Sequence, residues 1–325
     1  MKSSRIIQMA ALLLALTFLL RSPSLAQEHK HKPAQDAASL KLSTELVSLS
    51  VTVTDRKGQA IPGLKREDFK VYESGVEQKL DFFSAEEMPV CWGIVLDRSG
   101  SMMEMIGDVY RAAVHVVDEG TEEDEAFVVT FSQRVELVSD FMADKHKLEN
   151  SILGLRAGGE TALWDAINFA LDHLKKAKHR KKVLVVITDG DDNSSRIKFR
   201  ELIERAEEEN VLIYPVGMFE SSGMFSLRMV GRGPRDDLEK LAEVTGARAH
   251  FPTNVEQCRE AMRAIAGEVS HHHQYSVGYY PSNTKNDGKW RKIQTVVGQD
   301  DSKTKYVART RAGYYAQKAE EVKEP

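Results

Sequence analysis

Asp97-Arg98-Ser99-Gly100-Ser101 places one carboxylate and two hydroxyls within five consecutive residues. These are hard oxygen donors, suited to Mg²⁺ or Mn²⁺, which prefer octahedral oxygen and keep some of their waters. Zinc would ask for histidine or cysteine instead. Aspartate and serine at this spacing also serve as ordinary caps and turns, so the elements around them must decide whether they converge. The enzymatic reading of such a set is metal-assisted hydrolysis, with the ion activating water. Against it, no His or Glu in the loop of Asp97 or in Gly158 to Leu163 is an evident general base, and no nucleophile elbow or zinc signature occurs.

The flanking pattern positions this loop. Val90 to Leu96 is a continuous apolar run ending at Asp97. Met103 to Asp118 then carries Ile106, Tyr110, Ala113, Val114 and Val117 at helical spacing, and Phe127 to Phe131 reads as the next strand. Val183 to Ile187 is the clearest buried strand. Phe199 to Glu209 is an amphipathic helix, Val211 to Val216 a strand, Asp236 to Val244 a helix stopped near Gly246, and Val255 to Val269 a last helix. Strands buried on both faces and alternating with helices specify an α/β fold with a mostly parallel sheet, in which ligands bind at the carboxyl ends of strands. Asp97 stands at such an end.

With those elements in place, Asp97-Arg98-Ser99-Gly100-Ser101-Met102 resembles the metal-ion-dependent adhesion site motif of von Willebrand factor type A domains. Gly158-Gly159-Glu160-Thr161-Ala162-Leu163 resembles the family's loop carrying a threonine ligand, and Ile187-Thr188-Asp189-Gly190 its strand-end aspartate. The resemblance covers roughly Pro89 to Ala266 and implies a Rossmann-like, doubly wound domain. It implies a Mg²⁺ (or Mn²⁺) site formed by Asp97, Ser99, Ser101, Thr161 and Asp189, and a protein partner that offers an Asp or Glu to the ion. It further implies that Asp189 is the switchable ligand and Val255 to Val269 the helix that responds. The whole arrangement also resembles proteins called type A-related in acidobacteria, a family named by its domain. Besides hydrolysis, the remaining alternative is a structural domain whose metal only stabilises the fold.

Several nearby residues carry two readings. Asp191, Asp192 and Asn193 extend an acidic rim beside Asp189, either as a solvated turn or as groups that hold a cation more firmly. Met102, Met103 and Met105 either pad a binding surface or fill core gaps. His271 to His273 read as a polar boundary between helix and strand, because three neighbours in regular structure cannot all face one ion.

Outside the central domain (89–270) the pattern is β. Val47, Leu49, Val51 and Val53 alternate with Ser48, Ser50, Thr52 and Thr54, and Phe69 to Phe83 reads as further short antiparallel strands. Tyr275, Val277 and Tyr279 alternate likewise. Asn286-Asp287-Gly288 marks a hairpin, and Ile293 to Val297 and Tyr306 to Arg309 read as more strands. Neither the segment 43–88 nor the segment 271–316 buries enough alone, so the two are expected to complete one small β-sandwich, followed by a tail over 317–325.

The chain has 325 residues, 42% hydrophobic and 29% charged, enough for one sizeable core and a smaller module. Lys2 and Arg5, the apolar run Ile6 to Leu20 and the small-residue site Ser24-Leu25-Ala26 resemble a secretory signal peptide over 1–26; the run is shorter than the roughly 20 residues of a spanning helix. The localisation expected is therefore periplasmic, cell-surface or secreted. Gln27 to Leu42 reads as a flexible polar lead-in. Losing 1–26 removes three of the 45 basic side chains and no acid, leaving 42 against 49 acidic ones, a net charge of about -7 that disfavours nucleic acid as a partner. Cys91 and Cys258 are either paired, as the domain-end disulfides of some family members suggest, or two buried, inert thiols. N-terminal sequencing of the exported protein is expected to start at Gln27; a chain still starting at Met1 would contradict a cleaved leader.

Overall fold

In the computed structural model, which describes residues 46–56, 60–85, 88–104, 106–117, 121–152, 154–189, 192–219, 233–270, 274–298 and 306–318, the apolar run ending at Asp97 is the middle strand of a five-stranded sheet. In chain order the strands are β1 (Val47–Thr54), β2 (Phe69–Glu73), β3 (Val76–Gln78), β4 (Phe82–Ser84), β5 (Val90–Asp97), β6 (Glu125–Phe131), β7 (Val135–Met142), β8 (Lys181–Thr188), β9 (Leu212–Gly217), β10 (Gln274–Tyr279), β11 (Trp290–Val297), β12 (Val307–Arg309) and β13 (Gly313–Tyr315). The helices are α1 (Ile106–Val114), α2 (Lys145–Ile152), α3 (Leu163–Leu174), α4 (Phe199–Glu208), α5 (Pro234–Thr245) and α6 (Val255–Ser270). The signal-peptide segment, the polar lead-in, Met105, Asp191 and His271 to His273 lie outside the described residues. Among the described residues no helix is long and apolar enough to cross a membrane.

The central sheet runs β7-β6-β5-β8-β9, parallel except for β7 against β6. Alternation along β5 feeds both faces. Trp92, Ile94 and Leu96 pack with α1 and α6 residues such as Val109, Tyr110, Met262 and Ile265. Cys91 and Val95 pack on the other face with Leu163, Ile167 and Leu171 of α3, Leu202 of α4 and Leu241 of α5. This is the doubly wound α/β arrangement that strands apolar on both faces specify. It also settles the cysteines: Cys91 and Cys258 are both buried and free, and they belong to the cores on opposite faces of the sheet. Burial pushes the Cys91 thiol well up and the Cys258 thiol to about 11, so both are inert neutral thiols at pH 7.

Three elements beyond those expected, β7, α2 and α3, lie between Phe131 and Val183. Two further departures concern the ends of elements. The helix expected from Met103 to Asp118 is a 3₁₀ segment at Gly100–Glu104, then α1, then a second 3₁₀ turn at His115–Val117. The turn at Asn286-Asp287-Gly288 does not close a hairpin, because β10 and β11 belong to different sheets. Gly288 supplies the positive φ of 66° and Asp287 accepts from Lys289 N–H, so the local turn forms as its residues dictate; the strand partners follow the buried faces instead.

Those partners come from opposite ends of the chain. One sheet runs β12-β1-β10-β4 and the other β13-β11-β2-β3, all antiparallel, so the central pair of each joins an N-terminal to a C-terminal strand. Val47, Leu49, Val51 and Val53 meet Phe69, Val71, Tyr275, Val277, Tyr279 and Ile293 in a core of their own. The sandwich is tied to the α/β domain at several points. Gly246 closes α5 at φ 84°, where a side chain would collide with the Thr310 backbone, and Ala312 N–H donates to Val244 O (3.0 Å). On α6, Glu268 pairs with Arg309 (2.6 Å) and accepts from the Tyr214 hydroxyl (2.7 Å).

Two glycines that look alike in sequence differ in what surrounds them. A Cβ on Gly93, in the middle of β5, would lie 2.5 Å from Leu184 Cδ1 and 2.6 Å from Phe127 Cζ, and the Phe127 ring is itself held by Phe141 and His173. A Cβ on Gly107, on the exposed side of α1, meets nothing within 4 Å. Gly93→Ala is therefore expected to cost about 1–3 kcal/mol in urea denaturation, and Gly107→Ala to stabilise by about 0.5–1 kcal/mol.

Candidate functional site

Parallel register brings the donors to one end of the sheet. Leu96 pairs with Ile187 and Asp97 with Phe131, so Asp97 ends β5 level with Thr188 at the end of β8, and Asp189 follows directly. Asp97 has no solvent exposure. Its Oδ1 accepts from Ser99 N–H (2.7 Å) and its Oδ2 from the Thr188 hydroxyl (2.6 Å). The Tyr110 hydroxyl of α1 donates to the Asp97 carbonyl (2.8 Å) and fixes the backbone where the strand turns out of the sheet. Burying a carboxylate is costly unless its oxygens are satisfied, and these contacts are what the strand end provides.

From Asp97 the polar groups form a short chain. The Ser99 and Ser101 hydroxyls lie 3.1 Å apart, and Ser101 Oγ donates to Asp189 Oδ1 (2.8 Å). Burial raises the Asp97 pKa, opposed by the hydrogen bonds from Thr188 and Ser99. Burial also raises that of Asp189, and the nearby Asp97 charge adds to the shift. Two carboxylates thus lie at one end of the sheet, and the Asp97 charge disfavours ionisation of Asp189. The cation next in sequence is turned elsewhere: Arg98 Nη2 pairs with Glu136 Oε1 (2.6 Å).

Thr161 reaches the same end of the sheet on a separate loop. Gly158 N–H donates to Arg98 O (2.8 Å) and Gly100 N–H to Gly159 O (3.3 Å), so this loop is hydrogen-bonded along the Asp97 loop. Gly159 has φ 96°, a conformation that side chains rarely adopt, which explains a glycine two residues before Thr161. Thr161 itself is buried, and Ala162 N–H donates to Ser132 O (2.8 Å). The structure therefore gathers Asp97, Ser99, Ser101 and Asp189 by side-chain contacts, and adds Thr161 through the backbone of its loop. Among the described residues no group of three or more His, Cys, Asp or Glu that could hold a metal ion is gathered.

Of the residues with two readings, Met102 is fully buried as core, whereas Met103 is 64% exposed beside the site. Asp192 and Asn193 are engaged with the segment that starts α3: Asp192 accepts from Trp164 N–H (3.3 Å), and Asn193 Oδ1 accepts from Thr161 N–H (2.9 Å). Sequence reasoning passed over Thr188 and Tyr110. A hydroxyl ending an otherwise apolar strand next to Asp189 was a readable signal for the first. Tyr110 looks like one more member of an apolar stripe, and only the fold shows where its hydroxyl goes.

The von Willebrand factor type A domain profile matches residues 93–266, more than half of the chain. The chain belongs to the von Willebrand factor type A domain family. An uncharacterized protein of Borreliella burgdorferi is 33% identical over 103 residues, 31% of this chain and 30% of that protein, so the match spans about a third of that relative's length. Among solved structures, a von Willebrand factor type A protein from Catenulispora acidiphila is 12% identical with a TM-score of 0.47, covering 86% of this chain and 75% of that one. The PilB minor pilin from Streptococcus sanguinis is 15% identical with a TM-score of 0.42, covering 57% of this chain and 62% of that one.

Within this type A domain the Thr188 to Asp97 hydrogen bond holds the buried carboxylate whether or not anything binds beside it. Thr188→Val keeps the volume and removes the donor. Urea denaturation at pH 7 is expected to show a loss of about 1.5–3 kcal/mol, the range for a hydrogen bond to a charged group.

Proposed function

We propose that this chain is an exported, metal-dependent protein-binding module, in which Asp97, Ser99, Ser101, Thr161 and Asp189 hold Mg²⁺ or Mn²⁺ and a partner protein presents an Asp or Glu to the ion. The observation that carries the reading is the buried Asp97 carboxylate facing Asp189 across the Ser99 and Ser101 hydroxyls, at the carboxyl end of the parallel sheet. The donors fit such an ion: they are all oxygen, two carboxylates match its charge, and a divalent cation beside them would offset the burial that raises both pKa values and the Asp97 charge that adds to the shift of Asp189. When bound, the ion supplies Lewis-acidic positions that an incoming carboxylate can fill.

The chain's own residues do the rest. Asp97 is held from below by Thr188 and Ser99 N–H, so its free lone pairs are directed rather than mobile. Ser99 and Ser101 are on the turn that leaves β5, and Ser101 stands exposed at the opening, where a partner would approach. Exposed Met103 adds an apolar contact at the rim. Binding rather than turnover is supported by the make-up of the site: Asp97 is engaged on both oxygens and Asp189 on one, and neither is placed as a free base for water. Residues 93–266 matching a type A domain support the same choice.

Calorimetric titration with Mg²⁺ is expected to show one site per chain, absent in Asp97→Ala. Affinity capture from the exported fraction is expected to recover a partner with Mg²⁺ present, and to lose it with EDTA and in Asp97→Ala. Partner recovery that ignores EDTA would contradict the reading. Hydrolysis by the purified protein that disappears in Asp97→Ala would replace it with the enzymatic one.

A further inference from the structure

The loop after Asp189 and the loop of Thr161 are joined by an unusually reciprocal set of hydrogen bonds. Asn193 Oδ1 accepts from Thr161 N–H (2.9 Å), while the Thr161 carbonyl accepts from Asn193 N–H (3.0 Å) and Ser194 N–H (3.2 Å). Further along, Asp192 Oδ1 accepts from Trp164 N–H (3.3 Å) and from the Ser195 hydroxyl. Ser195 Oγ accepts from Asp165 N–H (3.0 Å), and the Asp165 carboxylate accepts from Arg196 N–H (3.1 Å) and Ile197 N–H (3.1 Å). Every residue from Asp192 to Ile197 thus contacts the segment Thr161 to Asp165, either through its backbone N–H or through its side chain, and the contacts start α3 at the same time.

Within this clasp only Asn193 grips Thr161 on both sides, its side chain taking the N–H and its own N–H going to the carbonyl. Fixing both peptide groups that flank a Cα fixes the direction of its Cα–Cβ bond, and with it the place from which the Thr161 hydroxyl is presented. On its N-terminal side the loop is held less directly: Glu160 N–H donates to Gln133 Oε1 (3.2 Å), and Gly158 and Gly159 adopt positive φ of 152° and 96°. A hydroxyl ligand is useful to a cation only when it is held in place, and groups behind the ligands typically change metal affinity by about 10–100-fold. Asn193 is itself exposed and is not one of the five donors, so nothing in its own exposure requires an amide at that place.

We infer that Asn193 is the positioning residue for Thr161, setting the affinity of the site through the Thr161 backbone without touching the ion. This rests on the metal reading above, and the experiment keeps the two apart. Mg²⁺ affinity is measured by calorimetry on the whole exported chain, alongside the melting temperature in EDTA, for wild type, Asn193→Ala, Asn193→Asp and Ser195→Ala. Asn193→Ala is expected to weaken Mg²⁺ binding about 10-fold or more. Asn193→Asp keeps an acceptor oxygen for Thr161 N–H and is expected to stay within about 3-fold of wild type, the conservative change rescuing the loss. Ser195→Ala cuts the clasp away from Thr161; it is expected to lower the melting temperature while leaving affinity within about 2-fold. Should Asn193→Ala be too unstable to titrate, Asn193→Ser, whose shorter hydroxyl cannot span to Thr161 N–H, is expected to show the same weakening. Wild-type binding that Asn193→Ala leaves unchanged overturns the inference, as does an equal loss in Ser195→Ala, which would mean general loosening. A wild-type chain that binds no Mg²⁺ overturns the metal reading itself and this inference with it.

Discussion

A carboxylate with no solvent exposure at the end of a strand is the constraint around which the rest is arranged. Asp97 can remain there only because Thr188 and Ser99 N–H satisfy its oxygens, and Thr188 is available only because β5 and β8 run parallel in one register. A slip of one residue would bring Ile187 or Asp189 level with Asp97 in place of Thr188, exchanging a donor for a methyl group or a second charge. The register in turn is set by the apolar faces of β5 and β8, which alternate between the two cores. Core packing and site chemistry are therefore one requirement seen from two ends of the same strand.

The sandwich gives the domain a frame built from both chain ends. Since β1 pairs with β10 and β2 with β11, the sandwich core is built from strands on both sides of the α/β domain in the sequence, with Ser84 and Gln274 on the neighbouring strands β4 and β10. Glu268 on α6, held by Arg309 of β12 and Tyr214 of β9, ties the last helix to both modules. Movement of α6 away from β12 would have to break this partly buried ion pair.

Much of this was readable from residues alone, for definite reasons. Continuous apolar runs such as Val90 to Leu96 and Val183 to Ile187 need no partner to be recognised, and they locate Asp97 and Asp189 by simple adjacency. The strands of the two ends are legible as alternation, and their union follows from each being too small alone. β7 is not legible because it is an edge strand with mixed exposure, so Glu136, Leu137 and Val138 show no clean period. α3 is legible, because Leu163, Ile167, Ala170, Leu171 and Leu174 follow helical spacing. The pairing of Asn193 with Thr161 spans 32 residues and depends on two loops meeting in space, which no local pattern encodes. The Asn-Asp-Gly turn shows the converse, a local signal that is locally obeyed while strand pairing is decided elsewhere.

The central claim is that the Asp97 and Asp189 carboxylates and the three hydroxyls form a single cation site. Anomalous scattering from crystals grown with Mn²⁺ tests it most directly. The account predicts one Mn²⁺ peak per chain at the end of β5, about 2.1 Å from oxygens of this donor set. A peak elsewhere, or none at this position while the protein is saturated with Mn²⁺, would contradict it.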